Sequence, residues 1–289
     1  MSCLLIHRLL EQARFPAPGS VVTCAVSGGA DSLALLVLAR AADLDVTAVH
    51  VDHGLRPESA GEADVVGAAS ERFGARFVAE RVHVEHGPNL EARARRARYA
   101  VLPPDVLTGH TADDQAETVL LNLLRGAGLD GLSGMAPAGH PLLGVRRADT
   151  HALCAEVGLD PVVDPSNAEP VHLRNRVRHE LLPLLVDLAG RDVVPVLARQ
   201  AALLRDEADL LDSQAAVVDP TDVRGLAALP EPLARRALRS WLRTGVEHPP
   251  DAAAVERVLA VVRHEARACE LNDGRRVTRS GGRLGVDPA

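Results

Sequence analysis

The sequence predicts an α/β fold: a Rossmann-like parallel sheet with helices on both faces, followed by a smaller, mainly helical domain. Three observations carry this. Apolar, β-branched segments alternate with helical ones over roughly the first 125 residues, the order that builds a covered parallel sheet. A glycine-containing loop, Ser27-Gly28-Gly29-Ala30-Asp31-Ser32, joins the first such segment to the first helix after it. After Pro183 the strand pattern stops and amphipathic segments take over.

The elements follow in order. Residues 20–26 (SVVTCAV) read as a buried parallel strand, and LALLVLARAA after the loop reads as a helix. Residues 45–51 and 76–84 give two more strands, and 105–109 a short fourth. Helices fit 89–101, with Asn89 as cap, and 112–125. In such sheets ligands bind beyond the carboxyl ends of the strands. Residues 193–216 form one long helix with Leu197, Leu203, Leu204, Leu210 and Leu211 expected inside. Helices at 230–244 and 251–266 and a hairpin around Ser280-Gly281-Gly282 complete the chain. The division falls near 190, giving domains 1–190 and 191–289, in keeping with 289 residues at about 150 per domain.

Composition excludes several classes. Apolar residues at 47% and charged ones at 25% are globular values, against disorder. Aromatics at 2% are too few for a base-stacking platform. The longest apolar run, Leu33 to Ala39, falls far short of the about 20 residues of a membrane span. The N-terminus lacks the pattern of a secretory signal, so the expected location is the cytoplasm, with no membrane partner. The four cysteines have no metal or redox spacing and read as small buried hydrophobes. Lysine is absent, which rules out a lysine-bearing phosphate loop. Charge is uneven: residues 224–289 carry net +4 and the rest net −11. A basic second domain in an acidic chain points to a polyanion there.

The loop has the chemistry of a phosphate cradle. Glycines let the backbone approach a ligand, and the helix start offers free N–H groups and a positive dipole end. Ser27 and Ser32 add hydroxyls. Asp31 beside phosphate is repulsive unless a divalent cation lies between, which assigns it to Mg²⁺. A bare SGG loop would also serve as a plain strand–turn–helix connection. A second site lies at 109–117, where Gly109-His110 ends a strand and Asp113, Asp114 and Glu117 start a helix. Asp113 and Glu117 are four apart and share a face. Three carboxylates could hold a cationic substrate or a metal. Complementing the helix dipole accounts for one or two of them. Arg93, Arg95, Arg96 and Arg98 form a basic run, read either as a solvated face or as an anion contact. His50 and Asp52 share a strand face at the end of strand two, with His53 beyond, and read as structural or nucleotide-edge residues.

SGGADS resembles the loop of the PP-loop ATPases. HVDHGLRPES at 50–59, NLEARARRARY at 89–99, GHTADDQAETVLLNLLRGAGLDGLSGM at 109–135 and DPSNAEPVHLRNRVRHELLPLL at 164–185 resemble one branch of them, the tRNA(Ile)-lysidine synthetases. Residues 226–286 are similar to that family's small substrate-binding domain. The resemblance implies a PP-loop ATPase fold and an enzyme that spends ATP, with Mg²⁺, to join free lysine to C2 of the wobble cytidine in a CAU-anticodon tRNA(Ile). An adenylated cytidine is the intermediate, and AUA decoding replaces AUG. ATP would meet Ser27, Gly28, Gly29, Ala30, Asp31, Ser32, Gly109, His110 and Arg174. Lysine would meet Asp113, Asp114, Glu117 and Arg95, the acids and Asp31 being catalytic. tRNA would meet Arg98 and Arg178 and, on the basic tail, Arg235, Arg236 and Arg239. The family often has RPLL where this chain has His140-Pro141-Leu142-Leu143, and Arg146 or Arg147 stands in for the basic residue that follows. Many members carry a further C-terminal tRNA-gripping domain; on this resemblance none is expected within these 289 residues, and tRNA contact is expected from the catalytic domain and residues 224–289.

Two rival readings stay open at this level. A PP-loop tRNA thiolase would share the loop but usually needs cysteine pairs. A non-catalytic ATP-binding sensor would share it too, yet leaves the acids and the basic domain unexplained. The sequence leaves the oligomeric state open, a dimer included.

Overall fold

The computed structural model describes residues 2–52, 54, 59–83, 87, 90–162, 173–244 and 250–287. His53, Asn89 and the stretch 163–172 lie outside the described residues. Two compact units divide inside one long helix: Met1–Arg205 and Asp206–Ala289. The change of sequence pattern near 190 precedes that division.

In the first unit the order is α1 (Ser2–Gln12), β1 (Val21–Ala25), α2 (Ala30–Ala41), β2 (Asp45–Asp52), α3 (Ser59–Phe73), β3 (Arg76–Arg81), α4 (Leu90–Val101), β4 (Leu107–Thr108) and α5 (Ala112–Leu124). Then come α6 (Leu129–Leu132), α7 (Arg147–Glu156), α8 (Leu173–Arg176), a π-helical turn (Val177–Leu181), α9 (Leu182–Ala189) and the first half of α10 (Val194–Ala216). The sheet runs β3-β2-β1-β4 and is parallel throughout, with Cys24 of β1 paired to Ala48 of β2 and Leu107 of β4. Period-two alternation buries both faces. Cys24, Val46 and Ala48 face a core with Leu33, Leu36, Val66 and Leu153 from α2, α3 and α7. Ala25, Val49, Val51 and Val78 face Leu102 and Val106, which follow α4. The α/β expectation therefore holds. Helices α1, α3 and α7 are additions that the sequence pattern did not announce.

A third cluster joins Ala112, Ala116, Leu120 and Leu121 of α5 to Val177, Leu182 and Val194. It clamps the segment around Arg174 and Arg178 against the helix that carries Asp113 and Glu117. On α10 the expected leucine core needs correction. Leu203 and Leu210 are exposed, while Ala201, Ala208 and Ala215, seven apart, are buried. A seven-residue spacing of small residues marks the inward stripe, and the larger leucines beside it stay partly or wholly in water.

The second unit packs α11 (Val223–Ala228), α12 (Glu231–Arg243) and α13 (Ala252–Val262) with an antiparallel sheet of β5 (Ala268–Glu270), β6 (Arg276–Ser280) and β7 (Arg283–Asp287). Leu226, Leu238, Leu242, Val258, Val261 and Val277 form its core. The hairpin turns through Gly281 and Gly282, both at positive φ, as the Ser280-Gly281-Gly282 signal anticipates. Among the described residues no helix is long and apolar enough to cross a membrane.

Candidate active site

The loop from β1 to α2 brings four backbone N–H groups to one place. The amides of Gly28, Gly29, Ala30 and Asp31 meet no acceptor among the described residues, while Ser32 and Leu33 donate theirs to the Gly29 carbonyl. Gly28 has φ of 89°, a conformation that side chains resist. Ser32 Oγ donates to the Gly29 carbonyl at 2.9 Å and accepts from the Ser27 amide at 3.1 Å, so this hydroxyl shapes the loop. The end of β4 lies against it. A Cβ on Gly109 would sit 2.6 Å from the Asp31 carbonyl oxygen, so only glycine permits this approach. A cavity of about 860 Å³ opens here, lined by Ser27, Gly29, Ala30, Asp31, Ser32, His50, Arg98, Gly109, His110, Asp114, Arg147 and Arg178.

The acids of α5 are held by arginines. Asp113 takes Arg146 Nε and Nη2 at 3.1 and 3.0 Å and the Arg147 amide at 2.8 Å. Asp114 spends Oδ2 on the amide and hydroxyl of Thr111, both 2.9 Å away, and caps its own helix. Its Oδ1 takes Arg147 Nη2 at 2.7 Å and Arg174 Nη2 at 3.2 Å. The Glu117 side chain is fully buried. Oε1 accepts from Arg178 Nε at 2.7 Å and Arg147 Nη1 at 3.1 Å; Oε2 accepts from Arg174 Nε at 2.8 Å and Arg178 Nη2 at 3.1 Å. Arg147 also reaches Asp31 Oδ2 at 3.3 Å, and Thr150 Oγ1 donates to Asp31 Oδ1. One guanidinium thus joins the phosphate loop to the acid helix.

The electrostatics follow. Burial pushes Asp114 up, but Arg147, the Thr111 amide and Arg174 outweigh it and hold the carboxyl below its usual range. Asp113 is lowered in the same way, burial being overcome by hydrogen bonds from Arg146 and the Arg147 backbone. Asp31 goes the other way: burial dominates the help it has from Thr150 and Arg147, and its carboxyl is raised.

A second cavity of about 440 Å³ is lined by Asp113, Glu117, Arg146, Arg147, Arg178, Leu182, Pro183 and others. Arg147 and Arg178 line both cavities, so the arginine–carboxylate layer is their common wall.

Other sequence-predicted residues lie as follows. Arg98 lines the larger cavity, and Arg95 stacks over Tyr99 with its guanidinium carbon 5.1 Å from the ring centre. Arg174 lines neither cavity and anchors Glu117 and Asp114. In the second unit Arg235 bridges Glu231 and Glu256, and Arg236 pairs with Asp212. Arg239 also has a partner. Sequence reasoning missed Thr150 and the Thr108–His140 pair, and left Arg146 and Arg147 undivided. Only the contact of α7 with α2 and α5 separates their roles.

His110 is set by that missed pair. The Gly139 carbonyl lies 2.8 Å from His140 Nδ1 and can only accept, so His140 Nδ1 carries a proton. Thr108 Oγ1 lies 2.6 Å from His140 Nδ1 and 2.7 Å from His110 Nδ1 and donates to the Gly139 carbonyl at 3.2 Å, so one hydroxyl ties both rings to the end of β4. His110 is thereby held in a fixed orientation on the wall of the larger cavity. Burial chiefly, with His140, Arg174 and Arg95 against Asp114, lowers its pKa to about 4. A histidine depressed in the fold costs stability as pH falls from its unfolded pKa of about 6.5 through the folded one. Urea unfolding should show a loss on the order of 3 kcal/mol across that window from this residue. The loss should shrink in His110→Asn; an unchanged pH slope would remove the buried neutral assignment.

Comparison with known proteins follows the same division. Residues 5–185 match the PP-loop domain family and residues 222–284 match the TilS substrate binding domain family. The tRNA(Ile)-lysidine synthase of Nocardia farcinica is 46% identical over 254 residues, covering 82% of this chain and 80% of that protein. The chain belongs to the tRNA(Ile)-lysidine synthase family. The synthase of Mycolicibacterium paratuberculosis is 47% identical over 239 residues, covering 76% of this chain and 74% of that protein. Among solved structures, the U34-tRNA thiolase NcsA from Methanococcus maripaludis with its [4Fe-4S] cluster has a TM-score of 0.56 at 18% identity. It covers 71% of this chain and 80% of that one. At that identity the likeness is one of fold. Members of the PP-loop family use ATP, which suits the four free amides of the loop.

Whether Mg²⁺ suits the site can be tested on the residues. Mg²⁺ beside phosphates takes one or two carboxylates and fills the rest with phosphate oxygens and water. Asp31 offers one such carboxylate on the wall of the larger cavity, next to the loop amides, and burial outweighs Thr150 and Arg147 in raising its pKa, so a cation beside it would favour its charged form. The donor set fits.

Proposed function

We propose that the chain joins free lysine to C2 of the wobble cytidine of a CAU-anticodon tRNA(Ile), consuming ATP. The observation that carries this reading is the shared wall. A cavity with a phosphate loop and a smaller one with acids and arginines meet at Arg147 and Arg178. ATP occupies the larger cavity, its phosphates on the amides of Gly28 to Asp31. O2 of the cytidine attacks the α-phosphorus and pyrophosphate leaves. Asp31 would hold Mg²⁺, whose charge offsets that of the phosphates. Arg147 and Arg178 supply further positive charge there. Lysine occupies the smaller cavity, its carboxylate toward the arginines and its ammonium toward Asp187, since Asp113 and Asp192 already hold Arg146. Glu117 anchors the arginines, since both its oxygens are taken. The ε-amine, having lost a proton to a carboxylate, attacks C2; AMP leaves. Lysidine pairs with A in place of G, which shifts decoding from AUG to AUA. The relatives bearing the synthase name favour this reading over a thiolase or a sensor.

Pyrophosphate should appear from ATP only when tRNA(Ile) is present, and AMP release should require lysine. Pyrophosphate without tRNA, or AMP without lysine, would contradict the proposal.

For tRNA the second unit needs cations that are not already neutralised. Arg235 and Arg236 sit in ion pairs, so reversing them breaks the unit's own contacts. Arg267 and Arg276 are exposed and make no ion pair among the described residues. Changing both to Glu should weaken tRNA binding, leave ATP binding intact and lower the salt slope by about 1 per lost phosphate contact. Filter binding across a salt series reads this directly, and an unaltered slope would place the RNA elsewhere.

A further inference from the structure

His50 lies near the carboxyl end of β2 and is 1% exposed. Its Nδ1 is 3.0 Å from the Val26 carbonyl oxygen. A carbonyl accepts and never donates, so Nδ1 carries the ring proton and Nε2 presents a lone pair. That Nε2 is buried and has no hydrogen-bond partner among the described residues. Buried polar atoms without partners are uncommon and call for a reason. The ring lines the larger cavity, and Val26, which orients it, directly precedes the phosphate loop.

Polarity decides what can meet this atom. A phosphate oxygen is an acceptor and would face the lone pair unfavourably, whereas the loop amides suit it. The group at His50 must donate. In a nucleotide the donors belong to the nucleoside part. We propose that His50 Nε2 accepts a hydrogen bond from the nucleoside of the bound nucleotide, an amine N–H of the base or an O–H of the ribose, and so sets which nucleotide is used. This rests on the reading of the larger cavity as the ATP site. A site built to bond an N–H or O–H rejects the analogue that lacks it, because its own buried partner is then left unpaired.

The test compares direct binding of ATP, inosine triphosphate, 2′-deoxy-ATP and 3′-deoxy-ATP to the full chain and to His50→Phe. Inosine triphosphate removes the base amine and the deoxy forms remove one hydroxyl each. The native protein should bind one of the three analogues about tenfold or more weaker than ATP. In His50→Phe that gap should close, because ATP binding falls to the level of the analogue. Equal binding of all four by the native protein, or an unchanged gap in the variant, overturns the assignment while leaving the ATP site standing. No ATP binding at all overturns both. Should His50→Phe fail to fold, ¹⁵N NMR of the native imidazole decides: ATP should shift the Nε2 resonance and the discriminating analogue should not. An Nε2 resonance unmoved by saturating ATP overturns the proposal.

Discussion

Replacing Glu117 by glutamine is expected to destabilise the first unit by about 3 kcal/mol, at the lower end of the range for breaking a buried pair. Both carboxylate oxygens receive two guanidinium N–H groups each, from Arg147, Arg174 and Arg178. Glutamine keeps one acceptor and turns an N–H₂ donor toward guanidinium donors, so one side of the site becomes donor against donor. The arginines are partly exposed and recover some hydration, which sets the lower figure. Because Arg147 and Arg178 line both cavities, pyrophosphate release and lysine transfer should both slow. Urea unfolding with parallel assays of the two steps checks this. Stability within about 0.5 kcal/mol of the parent would mean that the arginines do not depend on Glu117.

Asp31→Asn should cost little or no stability and still remove activity. Burial raises the Asp31 pKa in the fold. The sign for a raised carboxyl is that its ionisation costs stability, a cost relieved as pH falls through the folded pKa. Asparagine removes that charge at neutral pH and still accepts from Thr150; its N–H₂ replaces the oxygen that took Arg147 Nε at 3.3 Å, a long contact whose loss offsets part of the gain, and Arg147 keeps Asp114 and Glu117. Stability should stay within about 1 kcal/mol of the parent or rise, as is common when a functional charge is removed. Pyrophosphate release should fall on the order of 10²- to 10³-fold, the scale for losing one charge-stabilising group. Normal release would place the phosphates away from Asp31.

The sheet and the loop were legible because their signals are local. β-branched runs, two glycines and the turn into LALLVLARAA need no distant partner, and Asp113, Asp114 and Glu117 fall on one helix by spacing alone. What neutralises those acids was not legible. Arg146 and Arg147 stand 33 and 34 residues from Asp113 and meet it only through the packing of α7. The RNRVR segment announced cations, but the π-helical turn after Arg176 and the apolar seam of Val177 and Leu182 aim Arg174 and Arg178 at Glu117. Asp114 shows why type and spacing underdetermine role: one oxygen caps a helix while the other faces Arg147. On α10 the rule that leucines mark the core failed because small alanines every seven residues form the inward stripe.

The most direct measurement is the mass of the wobble nucleoside of tRNA(Ile) after incubation with the protein, ATP, Mg²⁺ and lysine. Nuclease digestion and mass spectrometry should find that cytidine converted to its lysine adduct with loss of water, only when both ATP and lysine are supplied. An unmodified cytidine, or one carrying sulfur in place of oxygen when a sulfur donor is added, would contradict lysine transfer as the chain's reaction.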